Sequence, residues 1–177
     1  MDFDLTELEA NKHHYLTAVA GLNYAHAASV CLNSQGHPLK STISEDGHYN
    51  GNHSIIRFGV DDEMKRAWND DEVATENGAY AIAFLVASHH LDVKVIEKSK
   101  KGSGIDYWLG EQDGLLFQNK VRLEVSGIRM GDESAIATRF NIKFDQSKKS
   151  DKTLLPAFVV IVEFSKPRIR TGLRKTV

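Results

Sequence analysis

Apolar residues recur at helical spacing from about Leu16 to Leu32. Leu16, Val19, Ala20, Tyr24, Ala27, Ala28 and Cys31 fall on a three- and four-residue rhythm, which predicts an Ala-rich helix. Ser34-Gln35-Gly36 and His37-Pro38 end it. Residues 34–56 carry Gly, Asn and Pro with few apolar anchors, so they read as a long surface loop or hairpin and as the most mobile part of the chain. Asp61-Asp62-Glu63 opens a short helix through Trp68, with its acids where the helix dipole favours them, and Asn69-Asp70-Asp71 restarts the chain. From Glu76 to Ser88 the residues are apolar on almost every side, the pattern of a buried helix.

The period then changes to that of strands. Asp92 to Glu97 alternates, and Lys98 to Ser103 makes a basic, Gly-containing turn. Gly104 to Leu109 reads as a second strand, Gly110 to Gly114 as a turn, and Val121 to Ser126 as a third strand stopped by Gly127. Asp132-Glu133-Ser134 caps a helix from Ala135 to about Ser147. Pro156 to Phe164 is a near-continuous apolar run, as a strand buried on both faces should be. The order predicts an α/β fold with a mixed sheet between helices. Residues 1–70 read as a helical N-terminal extension with a long loop, and residues 71–177 as an α/β core with a basic C-terminal tail, in one compact domain.

Composition narrows the class without naming a function. At 177 residues, with 41% apolar and 26% charged residues, the chain can bury a core and is not a disordered, collagen-like or repeat sequence. One cysteine, Cys31, allows no intrachain disulfide and sits among Ala and Val as a buried thiol would. The acidic start MDFDLTELEA lacks the basic and apolar regions of a signal peptide, and the apolar runs fall short of a membrane span. The expectation is a cytoplasmic protein without a membrane partner. The net charge of −2 hides a cancellation: seven of the sixteen residues 61–76 are acidic, and the last twelve carry five basic residues and no acid.

Three acids stand at informative places. Glu76 opens the buried helix, Asp106 lies in the second strand, and Glu124 lies in the third. Ionised acids inside apolar elements are costly unless paired or bound to a cation. Two on neighbouring strands and a third on a facing helix would form an oxygen-rich cluster suited to Mg²⁺ or Mn²⁺. In the third strand Arg122 and Ser126 share the Glu124 side, while Leu123 and Val125 point the other way. The same alternation fits a solvent-facing side of a half-exposed sheet, each acid paired to a surface lysine.

This order of elements, with these acids, resembles the PD-(D/E)xK restriction-endonuclease-like superfamily over residues 72–165. The resemblance implies an αβββαβ core and metal-dependent phosphodiester hydrolysis of nucleic acid by a nuclease or nuclease subunit. The setting it suggests is prokaryotic defence or mobile-element machinery, with Mg²⁺ or Mn²⁺ as cofactor. Glu76 would match the helix acid, Asp106 the strand acid, Glu124 the second metal ligand, and the Val125 carbonyl an extra ligand. Ser126 stands where the pattern has its lysine. In this superfamily that lysine can be replaced by a cation from the following helix, where Arg139, Lys143 and Gln146 form a polar stripe.

Substrate capture would need positive charge near an acidic site. Lys98, Lys100 and Lys101 in the turn and Lys166, Arg168, Arg170, Arg174 and Lys175 at the C-terminus are the candidates, for DNA or RNA. Trp108 and Tyr107 fit core packing better than base stacking. The histidines carry no HExxH, the adjacent pairs His13-His14 and His89-His90 cannot both face one metal from a helix, and a zinc site is not expected. A catalytically degenerate member, acting as a nucleic-acid-binding or protein-interaction subunit, is the alternative, and a homodimer or multi-subunit complex is open to either. An unrelated α/β domain with ordinary surface ion pairs would place Asp106 and Glu124 on opposite faces.

Overall fold

The computed structural model describes residues 2–10 and 12–175; the last two residues of the expected basic tail, 176 and 177, lie outside them. Four α-helices and eight strands appear among the described residues, in the order β1 (Asp2–Asp4), α1 (Ala18–Ser34), β2 (Lys40–Gly47), β3 (Gly51–Ile56), α2 (Asp62–Ala67) and α3 (Asp71–Leu91). There follow β4 (Lys94–Lys98), β5 (Tyr107–Asp113), β6 (Leu116–Ile128), α4 (Glu133–Gln146), β7 (Ala157–Glu163) and β8 (Arg168–Arg174). All strands join one mixed sheet of order β1-β3-β2-β8-β7-β6-β5-β4. The protein is therefore α/β. No helix among the described residues is long and apolar enough to cross a membrane.

β4, β5 and β6 form an antiparallel meander, and β6 crosses through α4 to a parallel β7. β8 returns antiparallel to β7. Helices cover both faces of the sheet. On one, α3 and α1 close over Tyr107, Leu109, Leu123, Val125, Phe158 and Val160. On the other, Ile136, Phe140 and Phe144 of α4 pack on Val159 and Ile161. Every residue of β7 is buried, which is why its sequence shows no polar alternation.

α3 begins earlier than its apolar run. Asp70 caps it by accepting from the Glu72 and Val73 amides, and Asp71 and Glu72 fill the acidic first turn. Glu76 therefore lies in the second turn rather than at the opening. β5 likewise begins at Tyr107, so Asp106 precedes the strand instead of lying within it.

Two expectations are corrected. Residues 34–56, expected as a long surface loop or hairpin, hold a hairpin that joins the sheet: β2 and β3 pair from Lys40↔Ile56 to Glu45↔Gly51, and β2 docks parallel on β8. Ile43 and Ile55 anchor it in the main core. The first 70 residues thus add strands to the sheet, not only a helical cover. The basic C-terminal arm is largely strand β8. Ile169 and Thr171 are buried, and Arg168, Arg170 and Arg174, at alternating positions of the strand, pair with acids on the other side. Arg168 pairs with Glu133, Arg170 with Asp46 and Glu133, and Arg174 with Asp151.

Candidate active site

Asp106 is positioned by backbone. Its amide donates to the Leu123 carbonyl at 2.8 Å, and its Oδ2 accepts the Val125 amide at 2.8 Å. The preceding loop passes close beneath the end of α4, where a Cβ on Gly104 would lie 2.6 Å from the Gln146 carbonyl; Gly104 also has φ +82°. Only glycine meets both conditions. From α3, the Tyr80 hydroxyl reaches Glu76 Oε1 at 2.8 Å and Asp106 Oδ1 at 3.3 Å, so one phenol bridges the two acids. A Cβ on Gly127 would stand 2.4 Å from the Thr75 carbonyl, and that close approach seats this part of α3 on β6. The result is a cleft of ≈ 560 Å³ lined by Glu76, Tyr80, Asp106, Ser126, Arg139 and Lys143, with Val125 in its wall.

Glu124 lies under α4 with its side chain wholly buried. Lys143 Nζ donates to its Oε1 at 2.6 Å and Gln146 Nε2 donates to the same oxygen at 2.9 Å. Oε2 is buried without a hydrogen-bond partner. Burial, then the charge of Asp106, push the Glu124 carboxyl up to about 7 against the opposing pull of Lys143. Burial also raises Asp106, while the Val125 amide, Lys143 and Tyr80 favour its ionised form. Burial and the nearby carboxylate raise the Tyr80 phenol above its ordinary range, so it remains a donor.

The polar face of β6 follows the alternation read from sequence. Arg122, Glu124 and Ser126 are buried, and Leu123 and Val125 enter the core under α3. Arg122 is consumed structurally, donating to the Leu155 and Ser147 carbonyls, Ser150 and Asp151. Arg139 donates to the Ser126 hydroxyl at 3.2 Å. Lys143, Gln146 and Arg139 thus all reach the acidic strand from α4. Tyr107 is core, bonded to Tyr24 at 2.8 Å.

Tyr80 links Glu76 to Asp106, and the Val125 amide holds Asp106, while the side chain of the neighbouring Glu124 turns to Lys143 and Gln146. The three acids do not draw to the spacing of the triad Glu45, His53 and His90, whose ligand atoms lie within 4.8 Å of one another. Glu76 and Asp106 line the polar cleft beside the Lys143 ammonium, hard oxygen donors of the kind Mg²⁺ or Mn²⁺ takes, whereas Glu124 does not line it and its unpartnered Oε2 is buried under α4.

Of the basic residues read as nucleic-acid contacts, Arg168, Arg170 and Arg174 are tied to acids, which removes them as a free arm. Lys98 stands over the rings of Tyr80 and Tyr107, 5.4 and 5.8 Å from their centroids. Lys100, Lys101 and Lys175 are exposed. Two residues escaped the sequence reading. Tyr80 lies one turn after Glu76, and that i,i+4 spacing was the available signal. Lys149, whose charge pulls on Glu124, sits in a short 3-10 segment that resembled a solvated polar run. Against family models, curated proteins and solved structures the chain matches none.

Proposed function

We propose that this protein is a metal-dependent nuclease built on a restriction-endonuclease-like core, in which α3, β4, β5, β6, α4 and β7 form the αβββαβ unit. The observation that carries the reading is the pairing of Lys143 with Glu124 beside Asp106. The Lys143 ammonium, delivered from α4, would take the role that the superfamily pattern gives to a strand lysine at the Ser126 position. That charge compensation is what a site for a polyanionic transition state requires.

Mg²⁺ or Mn²⁺ held by Asp106 and Glu124, with Glu76 and the Val125 carbonyl as further donors, would acidify a water and clamp phosphate oxygens. The chain supplies the rest. Tyr80 holds Glu76 and Asp106 in one orientation through its hydroxyl. Lys143 stabilises negative charge that develops on the phosphorus oxygens, and Arg139, anchored on Ser126, orients the scissile phosphate. Water adds to phosphorus and gives up a proton to solvent, the P–O bond to the leaving nucleotide breaks, and the leaving oxygen takes a proton from solvent. Lys98, Lys100 and Lys101 at the rim, rather than β8, supply the positive surface for DNA or RNA.

The test is cleavage of DNA and RNA with Mg²⁺ or Mn²⁺. Asp106→Ala and Glu124→Ala should each lower the rate by about 10²–10³-fold or more. Variants that cleave like the parent would overturn the assignment. A non-cleaving, nucleic-acid-binding subunit is the second reading, favoured by Ser126 at the lysine position and by the engaged arginines of β8. It requires nucleic-acid binding that survives Asp106→Ala with no cleavage by the parent.

A further inference from the structure

A second cluster of ligand-type side chains lies at the other end of α3. Glu45 on β2 and His53 on β3 are diagonal neighbours on one sheet face, because Glu45 pairs with Gly51 and Ile43 with His53. His90, in the last turn of α3, completes the group, about 15 Å along the helix from Tyr80. His53 Nε2 lies 2.9 Å from Glu45 Oε2, and His90 Nε2 lies 2.9 Å from both Glu45 oxygens. The Glu45 side chain is wholly buried, and the His53 and His90 side chains are 10% and 13% exposed.

The geometry points to a zinc site: we propose that Glu45, His53 and His90 bind one Zn²⁺ that fastens the β2–β3 hairpin to the C-terminal turn of α3. The proposal is independent of the nuclease reading. A buried carboxylate needs compensating positive charge, and among the described residues its ion-pair partners are these two imidazoles alone. Two nitrogens and one carboxylate are a donor set for Zn²⁺ rather than Mg²⁺. Bonds of ~2.0–2.1 Å in a tetrahedron place ligand atoms ~3.3 Å apart, so the 2.9 Å contacts of Glu45 open by a few tenths of an ångström, and the two imidazole nitrogens, already within 4.8 Å of each other, settle to the same spacing.

Ring orientation is already fixed. Tyr49 stacks flat on His90 with centroids 3.8 Å apart, and Phe3 packs 4.7 Å from His53. The residual exposure of both rings leaves solvent access for a water as the fourth ligand. His89 is not part of the triad, although its ring lies 4.5 Å from that of His90 and 6.2 Å from that of His53. Adjacent histidine pairs, no HExxH and one cysteine give no expectation of zinc in the sequence, because Glu45 and His53 reach His90 only through the fold.

The experiment titrates the chelator-treated full chain with Zn²⁺, and with Co²⁺ as a spectroscopic stand-in. One equivalent should bind, Co²⁺ should give visible absorption, and Zn²⁺ at 100 times its Kd should raise Tm by ~5–10 °C. His53→Gln and His90→Gln should lose the cobalt signal, while His89→Gln and Asp106→Ala keep it. Nitrogen-15 spectra of the imidazoles in the unsubstituted protein decide the matter even where a variant fails to fold: Zn²⁺ should shift two of the eight histidines, assigned to His53 and His90. Absence of stoichiometric uptake, shifts confined to other histidines, or full binding by the two substituted proteins would overturn the site. The cluster would then be an imidazole–carboxylate network held by protons alone.

Discussion

Replacing Glu124 by Gln removes one buried charge and keeps the side chain's shape. Its consequence for stability follows from the pKa. The Glu124 carboxyl rises from an ordinary 4.5 to about 7 in the folded protein. The native state therefore holds this proton over a window where the unfolded chain has lost it. Glu124 contributes most stability below 4.5, loses it as pH climbs towards 7, and contributes no further change above. At 1.36 kcal/mol per unit, the full loss is about 3 kcal/mol. His14 is held below its ordinary range by burial and shifts stability the opposite way, but it titrates equally in both proteins and cancels in the difference. The measurement is urea unfolding of parent and Glu124→Gln between pH 5 and 8. The two should lie within ~1 kcal/mol at pH 5, and the variant should be more stable by about 3 kcal/mol at pH 8, or ~6–12 °C in Tm. Mg²⁺ at 100 times its Kd should return about 2.7 kcal/mol to the parent and nothing to the variant. A difference independent of pH, or a parent that gains on the variant as pH rises, refutes the reasoning.

Other substitutions test separate parts of the structure. Lys143→Met should lower cleavage by about 10²–10³-fold, and adding Ser126→Lys should restore part of it, because both positions reach the same cleft; cleavage rates of single and double variants check this. Gly127→Ala should cost about 1–3 kcal/mol in urea unfolding, since its Cβ would stand 2.4 Å from the Thr75 carbonyl, and should weaken Mg²⁺ binding by moving Glu76. Arg122→Met should cost about 3–5 kcal/mol by leaving buried carbonyls unpaired. Arg122→Lys should not recover it, because an ammonium cannot reproduce the guanidinium fork.

The parts legible in the sequence are those where one physical term dominates. β7 shows as an unbroken apolar run because both its faces are covered, and the core of α3 shows because it is apolar all round. β6 was read only from Val121, because Leu116 to Asn119 project from the sheet as an exposed hairpin and carry no buried alternation. β2 and β3 are legible only as a loop-or-hairpin stretch, for a related reason. Their buried positions are Ile43, Glu45 and Ile55, and a buried glutamate is indistinguishable in sequence from a solvated one. In β8 the alternation Arg-Ile-Arg-Thr was present, but its net charge suggested a free arm; the acids that neutralise it come from β2 and α4, distant in sequence.

α3 explains why the site was partly legible and its neighbour was not. From Gly78 to Ala87 the helix has no solvent face on which to place polar groups, so the Tyr80 hydroxyl must find its partners inside the fold, while Glu76 one turn earlier is exposed. Tyr80 finds Asp106 and Glu76, and His90 finds Glu45. The first partner lies a few elements downstream in a short strand motif, and the order of elements betrayed it. The second is 45 residues upstream in a hairpin with no motif at all. Polar residues on an all-apolar helix therefore mark where chemistry is placed, and only the sheet order β3-β2-β8-β7-β6 determines what each of them meets.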